Sequence, residues 1–519
     1  MTARPALRPF EPLPGATRLA ATFALALAAF MNIFDLTIAN VSVPTIAGAM
    51  AVSPTQGTWI ITSYAVSEAI MLPLTGWFAA RLGQRHMFML ATAGFTLASL
   101  ACAASPDFAL LLAGRVTQGA VGAAMIPLAQ AMLLAIYPPQ QRGLAIGIFA
   151  MTTVAAPIIG PLAGGWINDH ASWRWIFLVN LPVGAVSLLL VASLLGRYES
   201  ARRTAPVDWF GMALLALGVG CLQILLDKGN ELDWFGSPLI VTLAAASAVA
   251  LSTFVVWTLT APHPVVDLRL FARRNYAVGV GTLALASAAF FGANVVVPLW
   301  LQTHLGYTAE WAGRTMAFGG LLAIALGPLI GANIHRIDAR AVASFGLTMF
   351  ALFAWLSAHF PPNVDFWTLA TTRLLMGVGI SSLFLPLTTI YLSGLTAEQT
   401  AGAAGLANFM RNLGSSFGTS ILTSLWTHRT TEYAARLAES VNLHNAAATA
   451  YLDRLTGIGV STREALGYVR DVVIATQASL LATNAVMLTA GALMLALIAV
   501  VWLARPPFSA AAGRAGLPD

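Results

Sequence analysis

Charge is the scarcest property of this chain. Of its 519 residues only 9% are Asp, Glu, Lys or Arg, 58% are hydrophobic, and the mean hydropathy is +0.77. Soluble domains carry about 25% charged residues, so a water-soluble globular protein is excluded and a polytopic membrane protein is expected. Lysine is almost missing: Lys228 is the only one, and the net charge of +6 rests on arginines scattered singly or in pairs. That spread excludes the clustered basic face of a nucleic-acid binder. Cysteine is limited to Cys102 and Cys221, both inside apolar runs. No disulfide is expected, and both read as small packing residues. There is no Walker-type phosphate loop, so hydrolysis of ATP by this chain is not expected and energy must come from an ion or solute gradient. The eight histidines are dispersed near run ends and loops, without catalytic or metal-ligand grouping. No enzyme and no cofactor is implied, beyond protons as a coupling ion. No cleavable signal peptide is evident either. The first apolar run is too long for one and has no small-residue cleavage site, so it is expected to persist as a first helix.

What is present is a succession of long apolar runs. A spanning helix needs about 20 apolar residues. Fourteen runs qualify, near 18–42, 57–80, 86–104, 108–135, 143–166, 173–195, 207–226, 237–260, 275–300, 311–334, 340–358, 366–393, 401–426 and 479–503. With the N-terminus inside, the arginines fall almost wholly on one side: Arg4, Arg8 and Arg18; Arg81 and Arg85; Arg142; Arg197, Arg202 and Arg203; Arg269, Arg273 and Arg274; Arg336 and Arg340; Arg505 and Arg514. The short outside loops hold Lys228, with Arg174 and Arg314 where runs begin. By the positive-inside rule both termini are cytoplasmic. The long segment 427–478 carries mixed charges, which a long translocated segment tolerates.

Two motifs recur at nearly one offset. Gly76-x4-Arg81-x3-Arg85 returns 255 residues later as Gly331-x4-Arg336-x3-Arg340, and Arg115-x3-Gly119 returns 258 residues later as Arg373-x3-Gly377. Runs 1–6 and 9–14 are therefore parallel halves with runs 7 and 8 inserted between them. This is the major facilitator architecture, all-α, as 6+2+6 helices with a substrate site near the midplane between halves. The corresponding divisions are a tail 1–16, an N-terminal half 17–200, an inserted pair 201–265, a C-terminal half 266–506 that includes the periplasmic segment 427–478, and a tail 507–519.

Ionisable residues inside the runs are costly and imply function. Asp35, in Phe34-Asp35-Leu36-Thr37, has no basic residue closer in sequence than Arg18. Glu68 is a second embedded carboxylate. If the two share an aqueous pocket, one would titrate upward and serve as a proton carrier. Arg115 is a plausible counter-charge, so Asp35, Glu68 and Arg115 form the proton-coupling set. Arg115 and its counterpart Arg373 either line the cavity or snorkel outward. Arg411 and Asn408 read similarly. Asn32, Tyr64, Gln118, Met125, Phe290 and Asn294 complete the expected cavity, although aromatic and Met residues in such runs commonly only pack.

The loop from Gly76 through Arg81 and Gly83 to Arg85 permits a tight turn and close approach. It reads as a gating latch, against the plainer alternative of a positive-inside loop. Gly160, Pro161 and Gly164 in the fifth run give either a tight packing face or a bendable helix suited to export. The stretch 430–439 is amphipathic, consistent with a partner-binding or interfacial helix or with an ordinary solvated one.

These residues also carry a resemblance. Asp35-Leu36-Thr37-Ile38-Ala39-Asn40-Val41, Gln56-Gly57-Thr58-Trp59-Ile60-Ile61-Thr62-Ser63, Pro73-Leu74-Thr75-Gly76-Trp77, Leu222-Gln223-Ile224-Leu225-Leu226-Asp227-Lys228-Gly229 with Glu231-Leu232-Asp233-Trp234-Phe235, Pro386-Leu387-Thr388-Thr389-Ile390 and Ser393-Gly394-Leu395 are similar to the fourteen-helix drug:proton antiporters of the major facilitator superfamily. The likeness runs from about residue 17 to Phe508. It implies proton-driven export of hydrophobic or amphipathic toxic compounds from the bacterial inner membrane. It also implies a periplasmic membrane-fusion adaptor and an outer-membrane channel as partners. Asp35 and Arg115 match the family's embedded acid and base. Two positions depart: Ala80 stands where the loop motif usually has aspartate, so a latch needs other partners, and Ala156 stands where the fifth-run motif usually opens with glycine. Glu68 has no family counterpart to carry over. An exporter of one physiological solute, such as a fatty acid or siderophore, is the alternative. A nutrient importer is disfavoured by the Pro-Gly pattern of the fifth run, and a non-transporting sensor by charges embedded in both halves.

Overall fold

The computed structural model describes residues 10–202, 206–442 and 444–508. Arg4, Arg8, Arg203 and Arg514, and most of both expected tails, lie outside these. The described chain is helical throughout. In order it runs α1 (Gly15–Ala49), α2 (Trp59–Met71), α3 (Thr75–Leu82), α4 (Gln84–Ala104), α5 (Phe108–Gly122), α6 (Met125–Ile136), α7 (Arg142–His170), α8 (Asn180–Leu194), α9 (Trp209–Lys228), α10 (Pro238–Thr260), α11 (Arg274–His304), α12 (Ala309–Asn333), α13 (Ala339–Ser357), α14 (Phe366–Leu392), α15 (Ala397–Glu439), α16 (Ala446–Gly457), α17 (Thr462–Tyr468) and α18 (Ala475–Val501).

Eleven helices among the described residues are long and apolar enough to cross a membrane. The runs predicted at 57–80, 143–166 and 401–426 are helical but are not among them. The first is split by a 3-10 turn at Leu72–Leu74, where Pro73 removes a backbone donor. The second, α7, is an unbroken helix of 29 residues, and the third, α15, is diluted by Asn408, Arg411, Asn412, Ser415 and Ser416. Helix starts follow ordinary capping chemistry. The Asp365 carboxylate accepts from the Trp367 and Thr368 amides ahead of α14, and Thr396 forms a reciprocal capping box with Gln399 ahead of α15. One boundary differs from expectation. The amphipathic stretch 430–439 is no separate helix but the end of α15, held by Arg429–Glu432 and Arg436–Glu432 ion pairs one turn apart.

The helices gather into two groups, one built on α1–α8 and one on α11–α15 with α18, and the loops carrying the arginines lie at one end. The two groups touch at this basic end through glycine. A Cβ on Gly76 would meet the backbone of Gly402, and one on Gly147 would fall 2.6 Å from the Gly327 carbonyl oxygen. Only glycine lets α3 approach α15, and α7 approach α12, this closely. At the opposite end α9 is wedged between the groups. Its Asp227 and Lys228 bond Thr62 and Thr58 on the α2 side, while Gln223 donates to Ser416 at 2.9 Å and the Leu226 carbonyl accepts from Ser420, both on α15. Lys228, expected in an exposed loop, is therefore only 4% exposed and pairs with Glu231 at 2.9 Å.

Candidate functional site

The first group is organised around a sealed polar cluster. Asp35 on α1 and Arg115 on α5 both have 0% exposure, and Arg115 Nη1 donates to Asp35 Oδ2 at 2.5 Å. The other carboxylate oxygen accepts from Gln118 Nε2 at 3.0 Å and from Asn180 Nδ2 at 2.6 Å. Arg115 Nε donates to the Ile60 carbonyl at 3.0 Å, its Nη1 to Gln118 Oε1 at 2.8 Å, and its guanidinium lies 4.4 Å from the Tyr64 ring centroid. Ser99 accepts from both Gln118 and Asn180, at 2.7 and 3.2 Å. Five helices thus contribute to one ion pair, which meets the requirement that a buried charge be paired and hydrogen-bonded.

Gln118, grouped from the sequence with cavity residues, belongs to this cluster instead. Asn180 and Ser99 were missed; the available signal was a polar side chain within an apolar run, too common at Ser and helix-end Asn positions to single them out. Asn32 Nδ2 donates to the Tyr64 hydroxyl at 2.8 Å, and both residues are buried. Met125 is fully buried in the hydrophobic core of the same group.

Glu68, on α2, stands on the seam between the groups. Arg411 of α15 and Arg115 are its charged neighbours, and Asn32 and Tyr64 stand beside it. Asp35 and Glu68 both act on the Tyr64 hydroxyl, so the two carboxylates belong to one electrostatic neighbourhood. A second seam contact joins Gln130 Nε2 to the Tyr391 hydroxyl at 3.3 Å, and Tyr391 is a charge neighbour of Arg411. Asn408 is buried and bonds the Ala404 carbonyl of its own helix at 2.8 Å.

In the second group, Phe290 packs on Phe291, Phe350 and Phe384 with ring centroids 5.0, 6.0 and 6.1 Å away. Arg373 is 2% exposed and donates to Asn294 Oδ1 at 3.1 Å, so it neither snorkels nor faces solvent.

The basic-end loop finds partners where its motif lacks an acid. Gly83 takes φ +91° and lies against the Glu199 carboxylate. That carboxylate accepts from the backbone amides of Arg85 and His86 at 3.0 and 3.1 Å and contacts the His86 ring. It caps the N-terminus of α4, where unpaired amides and the helix dipole favour an anion. Arg85 Nη1 donates to the Gly196 carbonyl at 2.9 Å, and Arg81 lies 5.4 Å from the Trp77 ring centroid. On α7, Cβ atoms at Gly160 and Gly164 would fall 2.8 Å from Thr37 Cβ and 3.0 Å from Ile38 Cγ1, so this face packs against α1 beside Asp35. Pro161 lies between them within the helix.

A two-group helical bundle with polar clusters buried among apolar helices is the architecture of a membrane transporter. Residues 25–419 match the Major Facilitator Superfamily, and the chain belongs to that family. It is 43% identical to the multidrug export protein EmrB of Escherichia coli K12, over 98% of this chain and 99% of that one. It is 40% identical to the fatty acid resistance protein FarB of Neisseria gonorrhoeae, over 97% of this chain and 99% of that one. Among solved structures, the human organic anion transporter MFSD10 (TETRAN) superposes with a TM-score of 0.58 at 14% identity, covering 94% of this chain and all of that one; at that identity the likeness concerns the fold alone.

Proposed function

We propose that the chain is a proton-coupled exporter of hydrophobic or amphipathic toxic compounds, working by alternating access. The Asp35–Arg115 pair carries this reading. A carboxylate with no exposure exchanges a proton only when the bundle around it rearranges, so protonation is tied to conformation. Neutralising Asp35 frees Arg115 from its partner, and α1, α5 and α8 lose the bonds that hold them together. Glu68 and Arg411, on the seam, sense both that change and the contents of the cavity between the groups.

The proposed frame is fourteen spanning helices as 6+2+6, with α2–α3, α7 and the first part of α15 counted as spans beside the eleven. Support comes from their place in the groups: each packs along a counted span and carries a glycine or charge used at the seam. The halves are 17–200 and 266–506, with 201–265 inserted. The basic end and both termini lie in the cytoplasm of a bacterial cell, and 427–478 lies in the periplasm. There a membrane-fusion adaptor and an outer-membrane channel would complete a tripartite pump, as the 43% likeness to EmrB suggests. Closure at the basic end corresponds to a state facing outward.

Dye efflux from everted vesicles, with and without a proton uncoupler, tests the reading. Uncoupler-sensitive accumulation is expected; accumulation that the uncoupler leaves unchanged rejects proton coupling. A second reading, export of one physiological solute such as a fatty acid, is favoured by the likeness to FarB, and a substrate screen separates the two.

A further inference from the structure

The two groups carry the same constellation with one difference in charge. Counting 258 or 259 residues onward, Asp35 becomes Asn294, Arg115 becomes Arg373 and Gln118 becomes Met376. The contacts follow the sequence. Arg115 Nη1 bonds Asp35 and Gln118, and Arg373 Nη1 bonds Asn294 Oδ1 at 3.1 Å and approaches Met376 Sδ at 3.8 Å. The second copy has kept the cation and lost the acid.

A guanidinium stays protonated under any physiological condition. Arg373 is 2% exposed, and among the described residues no carboxylate pairs with it. Its Nη2 is buried without a hydrogen-bond partner, as is that of Arg115, so the missing carboxylate is what sets Arg373 apart. Asn294 offers one amide oxygen, and its own Nδ2 is spent on the Phe290 carbonyl at 2.9 Å. The Phe353 ring, 5.8 Å away, is the remaining neighbour of opposite polarity. An uncompensated buried charge is strongly destabilising. Arg411 shows the contrast, since Glu68 stands beside it.

We propose that Arg373 is an anion site that takes one monovalent anion on Nη2, beside Asn294, supplying the negative charge that Asp35 supplies in the first group. The chemistry is a single negative charge accepting from Nη2, with a carboxylate suiting the planar guanidinium fork. The source is either chloride from solution or the carboxylate head of an amphipathic substrate. Only the second source rests on the export reading.

The full-length protein in detergent is melted in gluconate, whose bulk and hydration keep it out of a buried site, then with chloride or octanoate added. The wild type is expected to gain several degrees with one or both. Asn294→Asp supplies an internal carboxylate, so it should melt higher in gluconate and gain nothing from either anion. Arg373→Met should likewise lose the gain. A response to chloride alone identifies a resident inorganic ion, and a response to octanoate alone identifies a head-group site; either supports the proposal. No response in the wild type, or an equal response in wild type and Asn294→Asp, overturns it. Dye efflux with an uncoupler is run in parallel, so failure of the export reading is seen separately and leaves the melting result standing.

Discussion

Asp35 and Arg115 come from helices 80 residues apart and meet at 2.5 Å with no solvent exposure on either side chain. Everything else in the first group's polar cluster serves this pair. Gln118 and Asn180 use the remaining carboxylate valences, and the Ile60 carbonyl and Tyr64 ring take up the guanidinium.

Asp35→Asn is expected to abolish proton-dependent efflux while the protein still inserts. Removing one partner of a buried pair costs about 3–5 kcal/mol, so the variant should also melt lower. Adding Arg115→Gln removes the stranded cation and should recover melting temperature without recovering transport. Undiminished drug resistance in cells expressing Asp35→Asn would sink the coupling role.

Glu68 balances Arg411 on the seam. Glu68→Gln leaves shape intact and removes one negative charge. Export of cationic compounds should fall about tenfold, equivalent to roughly 1.4 kcal/mol, while neutral compounds are spared. Resistance profiles for a cationic and a neutral substrate check this, and equal loss for both would point to coupling in place of selection.

Closure at the basic end depends on glycine. A Cβ at Gly143 would sit 2.5 Å from Ile334 Cγ2 and against the Gly331 carbonyl. Gly143→Val should hold α7 and α12 apart and raise thiol labelling of cysteines introduced at that end. Labelling equal to the parent would show that the contact does not control closure.

Glu199 brings an acid to a loop whose own motif carries none. Its carboxylate is 3% exposed and caps two α4 amides. Glu199→Ala should cost about 1–2 kcal/mol, the upper range for a helix cap, read as a lower melting temperature and faster proteolysis near residues 196–202. Glu199→Gln, which keeps an acceptor, should lose less.

Helix α9 ties the two groups together, since Asp227 and Lys228 bind one group while Gln223 binds the other. That strut was not legible in the sequence. Its residues were quoted for family likeness, and Lys228 read as a loop lysine, because contacts between run ends leave no periodic trace.

The membrane-transporter class and the all-helical fold followed from the chain alone. Apolar runs need no partner to be recognised, and the cost of charge in a bilayer marked Asp35, Glu68, Arg115, Arg373 and Arg411 without coordinates. The repeat offset aligned Arg115 with Arg373 for the same reason: covalent spacing survives in the sequence. Pairing does not. Only the tertiary structure decided that Arg115 is compensated by Asp35 while Arg373 has Asn294, that Gln118 faces the ion pair, and that Glu199 caps the start of α4. Each depends on which faces of distant helices meet, and side-chain packing fixes that over distances no local pattern records.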